Sequence, residues 1–193
     1  MLAGLAHAVL DSQRIFRAVL DASSHPGRVV AVPPPVETPS PLWPATASLC
    51  LALVDLDTPL WLDGAARTPD VIEYLRFHCA CPIAAAPEAG RFAVVADPGQ
   101  MPALEDFDVG TDEYPDRSAT VIVQVDALEE GVAGQRLAGP GIESEARLLA
   151  RGLPQGFWRS IRQNHALFPR GVDVILSADR LIAAIPRTTR VID

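Results

Sequence analysis

Segments with helical periodicity alternate with short apolar runs along the chain, and this alternation limits the possible folds more than any other feature of the sequence. The last two apolar runs, residues 172–176 and 181–185, are separated by four residues and predict an antiparallel hairpin. Alternation that ends in such a pair predicts an α/β fold, a mixed β-sheet flanked by helices in three layers. The 193 residues are enough for one core, so a single domain over residues 1–193 is predicted.

The same periodicity gives approximate bounds for the other elements. The first helix is predicted to begin at the N-caps Asp11 and Ser12 and to end before Pro26. The other predicted helices cover residues 46–55, 70–78 and 154–165. A short apolar run at 29–32 precedes predicted strands at residues 60–62, 92–96, 120–125 and 135–138. Residues 33–44 hold six prolines and predict a rigid connector, and residues 97–116 form an acidic loop region.

Charge and residue usage exclude several function classes. The 24 acidic residues outnumber the 16 basic ones and give a net charge of −8, the wrong sign for attracting a phosphate backbone, so no nucleic-acid partner is predicted. All 16 basic residues are arginines, and the sequence contains no lysine. A pyridoxal-phosphate aldimine, class I aldolase chemistry and a phosphate-binding P-loop all need a lysine amine. These three kinds of chemistry are therefore excluded, and no pyridoxal-phosphate cofactor is predicted.

The N-terminus and the cysteines favour a soluble, reducing environment. Residues 1–10 are apolar but lack a basic segment, and no run reaches membrane-spanning length, so a cytoplasmic protein without a membrane partner is predicted. Three cysteines are an odd number and predict free thiols. His78, Cys79 and Cys81 include ligand types that suit zinc, but the sequence offers no second cluster to complete a site. Buried thiols near a helix end are the favoured interpretation, and no metal site is predicted.

Arginines gather near the C-terminus, where residues 151–193 contain seven arginines and three acidic residues. Arginine binds carboxylate and phosphate oxygens in a bidentate geometry, so Arg170, Asp173 and Arg187 are candidates for contact with an anion or an acidic partner. The alternative is that Arg187 and Asp173 pair only with each other. The sequence contains no Gly-x-Ser-x-Gly, His-Glu-x-x-His or Gly-x-Gly-x-x-Gly motif, so no catalytic residue is predicted.

Six groups of short motifs resemble, in order and spacing, those of one known family. They are Phe16-Arg17-Ala18-Val19-Leu20-Asp21-Ala22 with Ser24-His25-Pro26-Gly27, Leu75-Arg76-Phe77-His78, Gly110-Thr111 with Tyr114-Pro115 and Ser118-Ala119-Thr120, Gly139-Pro140-Gly141-Ile142, Phe168-Pro169-Arg170-Gly171-Val172-Asp173, and Ile185-Pro186-Arg187-Thr188-Thr189. Together they resemble the PhnH family, a subunit of the bacterial carbon-phosphorus lyase system for phosphonate use. The resemblance covers most of the chain. The sequence departs from it at Cys79-Ala80, where the family usually has Thr-Gly, so no role is carried over to these thiols.

The resemblance implies a fold similar to that of pyridoxal-phosphate-dependent transferases, without the cofactor. It also implies a homodimer that joins the other subunits of the carbon-phosphorus lyase core, among them the nucleosidase subunit. That core transfers a phosphonate to the ribose of ATP and releases adenine, which gives alpha-D-ribose 1-methylphosphonate 5-triphosphate. Within it, this type of subunit resembles a structural or interface component. A fold alone does not supply a function, so no catalytic residue is carried over.

Two other functions stay open from the sequence. The first is a stand-alone enzyme or binding protein that takes a phosphorylated nucleotide or a phosphonate through the C-terminal arginines. The second is a homodimeric scaffold that binds no ligand and has no other partner.

Overall fold

The computed structural model describes residues 2–192. The helices are α1 (Ala8–Ser24), α2 (Pro44–Leu53), α3 (Pro69–Cys79) and α4 (Phe157–Ala166). The strands are β1 (Val30–Ala31), β2 (Leu60–Leu62), β3 (Phe92–Val95), β4 (Thr120–Gln124), β5 (Ala127–Ala138), β6 (Ala146–Arg151), β7 (Asp173–Ala178), β8 (Leu181–Ile185) and β9 (Arg190–Ile192). No helix among these residues is long and apolar enough to cross a membrane.

The larger sheet has six strands in the order β1-β8-β7-β4-β3-β2. Strands β2, β3, β4 and β7 run parallel, whereas β8 is antiparallel to both of its neighbours, β7 and β1. The parallel strands are rich in β-branched residues and buried on both faces, as strands covered by helices usually are. The α/β fold with a mixed sheet flanked by helices, which the alternation predicts, is therefore confirmed.

The two faces of this sheet carry separate halves of the core. Val94, Ile122 and Ile175 are aligned across neighbouring strands and pack on the side that α1, α2 and α3 cover. Side chains of alternate residues point the other way, so Val95 and Val123 pack with α4 and the smaller sheet. The result is a helical layer, a central sheet, and a third layer that combines a helix with strands.

The smaller sheet has the order β6-β5-β9, and sequence reasoning identified only the end of β5. The predicted strand at 135–138 is the last third of a strand that begins at Ala127. Its first part includes Glu129, Glu130 and Gly131, a composition that argues against a strand. The pairing with β6 also shifts register between Glu130 and Gln135, which breaks the regular alternation of buried and exposed positions.

The predicted N-caps Asp11 and Ser12 are wrong, because α1 begins at Ala8 and both residues lie inside it.

Helix ends explain the differences between the predicted and observed bounds of α2 and α4. α2 begins at Pro44, two residues before the predicted start, because proline suits the first helical position. α4 begins at Phe157, three residues after the predicted start, because Gly156 adopts a left-handed conformation at φ 89°. Thr68 caps α3 by accepting a hydrogen bond from the Val71 N–H at 3.3 Å.

The proline-rich connector is fixed to the larger sheet by one glutamine. Gln124, the last residue of β4, is buried although its side chain is polar. Its Oε1 accepts a hydrogen bond from the Trp43 N–H at 2.5 Å, and its Nε2 donates to the Pro41 carbonyl at 3.1 Å. These two bonds satisfy the buried amide, so the connector has a defined path over the end of the sheet.

The three cysteines are free and buried in the core between α2 and α3. The Cys79 thiol donates to the Cys50 carbonyl at a sulfur–oxygen distance of 3.6 Å. Burial raises the pKa of the Cys50 thiol from its usual 9.0 to about 12, because the thiolate would lose its hydration. The predicted free thiols are therefore confirmed, and Cys50 stays protonated at neutral pH.

We expect Cys50 to lower the stability of the protein at alkaline pH. The folded state keeps the Cys50 proton up to about pH 12, whereas the unfolded chain releases it above its usual pKa of 9.0. The contribution is therefore complete below pH 9 and falls by about 1.4 kcal/mol for each further pH unit. Urea unfolding at pH 8 and pH 10.5 should show a smaller loss of stability in Cys50→Ala than in the wild type. An equal loss in both proteins would contradict this assignment.

Candidate functional site

Arg187, one of the predicted site residues, is held by internal partners. Its Nη2 donates to Asp173 Oδ2 at 2.6 Å and its Nε donates to Oδ1 at 3.2 Å, a bidentate pair. The Arg187 N–H also donates to Asp173 Oδ1 at 2.8 Å, and Nη1 donates to the Pro115 carbonyl. The Arg187 side chain is only 15% exposed. The geometry is that of the alternative interpretation, in which Arg187 and Asp173 pair with each other.

Arg170 lies at the same end of β7 but is more open. Its Nε is 3.2 Å from Asp112 Oδ1, and the two side chains are 41% and 86% exposed. The backbone joins the same loop to the sheet, since the Gly171 N–H donates to the Val109 carbonyl at 2.9 Å. The three predicted site residues therefore lie near the amino-terminal end of β7, where they connect the acidic loop to the sheet. Their contact with an anion or a partner stays a prediction.

A cleft of about 530 Å³ lies beside these residues, and we call it the C-terminal cleft. Its lining includes Gly139, Pro140, Ile142, Glu143, Ser144, His165, Phe168, Thr188 and Arg190. Strand pairing builds its floor, because Ala138 at the end of β5 is paired with Arg190 at the start of β9. The segments that sequence reasoning treated separately, residues 139–142, 168–173 and 185–189, meet around this cleft.

The end of α4 supplies one wall of the C-terminal cleft and is firmly attached. His165 Nδ1 is 3.0 Å from the Arg187 carbonyl, so this turn of α4 is tied to the segment after β8. The neighbouring Asn164 is buried and bonds the Val172 backbone twice, accepting from the N–H at 2.8 Å and donating to the carbonyl at 2.9 Å. The cleft is therefore preformed on its α4 side.

Two glycines allow the opposite wall to approach its neighbours. Gly141 has φ +81°, and a Cβ built on it would lie 1.9 Å from the Ser24 carbonyl oxygen. Gly139 has φ +142°, and its Cβ would lie 2.8 Å from the Thr188 carbonyl oxygen. Only glycine tolerates both the backbone conformation and the close contact. The loop 139–142 is thus packed between the end of α1 and the turn before β9.

A second cleft, of about 590 Å³, lies on the other side of the same loop. Several charged residues of its lining have internal partners: Glu145 Oε1 is 2.8 Å from Arg147 Nε, and Glu145 Oε2 is 2.8 Å from Nη2 of Arg136, which lies outside the lining. Hydrogen bonds from the Arg136 and Arg147 guanidinium groups hold the pKa of the Glu145 carboxyl below its usual range, and the bond from Arg136 has the larger effect. His25 and Arg28 both contact Asp21 in the same way, at 3.0 Å and 2.9 Å.

The zinc ligands considered in the sequence have separate partners. His78 Nε2 is 3.0 Å from the Leu2 carbonyl, and the Cys79 thiol is directed to the Cys50 carbonyl. Within residues 2–192 no group of three or more histidine, cysteine, aspartate or glutamate side chains is arranged to hold a metal ion. The structure therefore offers no geometry for a metal at this segment.

Sequence reasoning did not select His165, Phe168 or Thr188 as site residues. Phe168 belongs to a motif, but an aromatic residue beside a proline is more often part of a core than of a cleft. His165 belongs to none of the motif groups. It reaches the cleft because the fold brings it within hydrogen-bond distance of the Arg187 carbonyl, 22 residues later in the chain. The available signal was that Phe168 and Thr188 lie within the motif segments at 168–173 and 185–189, and that His165 lies three residues before the first of them.

Comparison with known proteins identifies the family. Residues 3–192 match the family described as bacterial phosphonate metabolism protein (PhnH). The chain belongs to the PhnH family. It is 35% identical over 187 residues to "Alpha-D-ribose 1-methylphosphonate 5-triphosphate synthase subunit PhnH" of Rhizobium meliloti (strain 1021), which covers 96% of this chain and 92% of that protein. It is 34% identical over 180 residues to "Putative C-P lyase subunit protein HtxG" of Stutzerimonas stutzeri, which covers 93% of this chain and 85% of that protein. The family resemblance inferred from the six motif groups is confirmed.

Proposed function

We propose that this chain is a subunit of a carbon-phosphorus lyase core complex that makes alpha-D-ribose 1-methylphosphonate 5-triphosphate. The observation that carries the proposal is the family match over residues 3–192, together with relatives that are themselves named as subunits of such systems. In this role the chain supports the transfer of a phosphonate to the ribose of ATP, with release of adenine.

The proposed role is structural rather than catalytic. This is supported by the way the motif residues are used: Arg187 and Asp173 neutralise each other, and Gly141 closes a contact with the Ser24 backbone. Groups that are engaged in these internal contacts are not available to bind a substrate. We therefore assign the bond-breaking chemistry to a partner subunit, and the nucleosidase subunit is the proposed direct partner.

We also propose that residues 1–193 form one domain, that the protein is cytoplasmic and that it forms a homodimer. Support for one domain comes from the two core clusters, which lie on opposite faces of the same sheet. Support for protein contacts comes from exposed aromatic side chains, since Phe77 is 61% exposed and Trp43 is 41% exposed. A relation to the pyridoxal-phosphate-dependent transferase fold is proposed from the mixed α/β sheet, and the absence of lysine agrees with loss of that cofactor.

A binding function is the second candidate, and one observation favours it. The Arg190 side chain is exposed, lines the C-terminal cleft and makes no hydrogen bond or ion pair within the part of the chain that the structure describes. In contrast, Arg170 and Arg187 already face Asp112 and Asp173. A phosphorylated nucleotide or phosphonate would therefore meet Arg190 before the arginines selected from the sequence.

Co-purification tests the subunit proposal. A tagged copy of this chain, expressed with the other carbon-phosphorus lyase subunits, should retain them at both low and physiological salt. An untagged chain serves as the control for adherence to the resin. Retention of no other subunit at either salt concentration would overturn the proposal.

A further inference from the structure

We propose that the C-terminal cleft is a nucleotide-binding site, with Arg190 and His165 facing a phosphate group and Phe168 facing the base. This rests on the second candidate function and deepens it, and it goes beyond the subunit role, because it concerns a small molecule and holds whether or not the chain joins a complex. It also differs from the site selected in the sequence, since only Arg190 of the C-terminal arginines lines the cleft.

The size of the C-terminal cleft suits a small molecule. Its volume of about 530 Å³ falls within the roughly 300–1,000 Å³ that is typical of ligand pockets. Its walls are fixed in advance by the His165–Arg187 hydrogen bond and by the contact between Gly139 and the Thr188 backbone. A preformed cleft loses less conformational freedom on binding than one that must be ordered by the ligand.

The cationic part of the lining is available to an anion. The Arg190 guanidinium is exposed and has no carboxylate or carbonyl partner among residues 2–192, so it can donate hydrogen bonds to two oxygens of a phosphate. Arg187, which lies three residues earlier, is already neutralised by Asp173. The hydroxyl groups of Thr188 and Ser144 add donors to the same lining.

His165 is oriented for the same purpose. Because the Arg187 carbonyl can only accept, the 3.0 Å contact places a hydrogen on His165 Nδ1. The other ring nitrogen, Nε2, is then the atom that is left to bond a ligand group. The half-buried ring is held by α4 and by the segment after β8, so its position does not depend on the ligand.

The apolar part of the lining explains why a base is expected beside the phosphate. Phe168 is 58% exposed, a large apolar area for a monomer to leave in water, and Pro140 and Ile142 line the same cleft. A flat heteroaromatic ring can stack on such a surface. Glu143 is the carboxylate of the lining, and it would repel a free anion but accept hydrogen bonds from ribose hydroxyls. A phosphate, a sugar and a base together match these three kinds of groups.

Calorimetric titration of the isolated wild-type chain tests the inference with adenosine 5′-monophosphate, adenosine and inorganic phosphate as probes. The monophosphate should bind saturably, and each of the other two probes should bind at least about tenfold more weakly, because each lacks half of the contacts. Equal binding of the monophosphate and inorganic phosphate would overturn the role of Phe168. Absence of saturable binding by the monophosphate would overturn the site.

Two variants separate a local contact from general charge attraction. Arg190→Gln should weaken binding of the monophosphate at least about tenfold. Arg180→Gln removes the same charge from the exposed β7–β8 turn, away from the cleft lining, and should leave binding unchanged. Equal loss in both variants would contradict the proposal. The Arg190→Gln variant should still co-purify with the other subunits, so failure of the nucleotide site and failure of the subunit role are measured separately.

Discussion

Replacing Gly141 with alanine should lower the free energy of unfolding by roughly 3 kcal/mol. Gly141 has φ +81°, and the added Cβ would lie 1.9 Å from the Ser24 carbonyl oxygen, a distance that requires the backbone to move. Two terms therefore lower the free energy of unfolding. Alanine is strained in the left-handed backbone conformation, and the two packed loops must move apart. For a chain of this size, the melting temperature should fall by about 6–12 °C.

Two other glycines provide matched controls for Gly141. Gly156 has φ +89° but no heavy atom within 4 Å of its Cβ position, so Gly156→Ala measures the cost of the backbone conformation alone. Gly64 has neither a positive φ nor a close neighbour, and Gly64→Ala should be almost neutral. Thermal unfolding of the three variants should rank them with Gly141→Ala the least stable. Equal effects at Gly141 and Gly156 would show that the contact with Ser24 is not what fixes the loop.

Arg187→Ala should have the second large effect, a loss of about 3 kcal/mol in the free energy of unfolding. The substitution leaves the Asp173 carboxylate without its bidentate partner and the Pro115 carbonyl without a side-chain donor. Arg187→Lys should recover only part of the loss, because an ammonium group cannot bond both carboxylate oxygens and the carbonyl with the same geometry.

The exposed pair at the same end of β7 is the control for Arg187. Arg170→Ala removes a partner of Asp112, but both side chains are largely in water, so the expected loss is below about 1 kcal/mol. Urea unfolding of Arg187→Ala, Asp173→Ala and the double variant measures the coupling directly. If the double variant loses as much stability as the two single variants added together, the pair is not coupled and this account of Arg187 is wrong.

Local patterns in the sequence identified the elements that lie in the main sheet. Leu60–Leu62 is a predicted strand whose bounds the structure reproduces, because an uninterrupted apolar run between Pro59 and Gly64 leaves few alternatives. The smaller sheet was mostly missed. Glu129 and Glu130 in β5 and Arg147 in β6 are solvated on one side and carry no clear strand pattern, so only tertiary pairing makes them strands.

The candidate site was predictable only in part. The motif segments directed attention to the correct region, but a motif does not reveal which way a side chain points. Arg187 was selected as a candidate for contact with an anion or a partner, and it lies against Asp173, whereas Arg190, three residues later, lines the cleft. His165 enters the site through a hydrogen bond to a backbone carbonyl 22 residues away, and no local pattern encodes such a contact.

The glycine contacts indicate why several motif groups occur together in one chain. Gly141 against Ser24 joins the group at 139–142 to the group at 24–27, and Gly139 against Thr188 joins it to the group at 185–189. Each contact needs the partner segment in place, so the groups form one packed unit rather than independent sites. A partner that docks on this unit would meet a surface already set by the fold.

The mass of the chain in solution tests the subunit proposal most directly. Light scattering coupled to size exclusion should give a dimer for the chain alone and a larger species once the nucleosidase subunit is added. Arg190→Gln should give the same masses, since the proposed nucleotide site is separate from assembly. A chain whose mass never changes on mixing, at low or physiological salt, would contradict the subunit role.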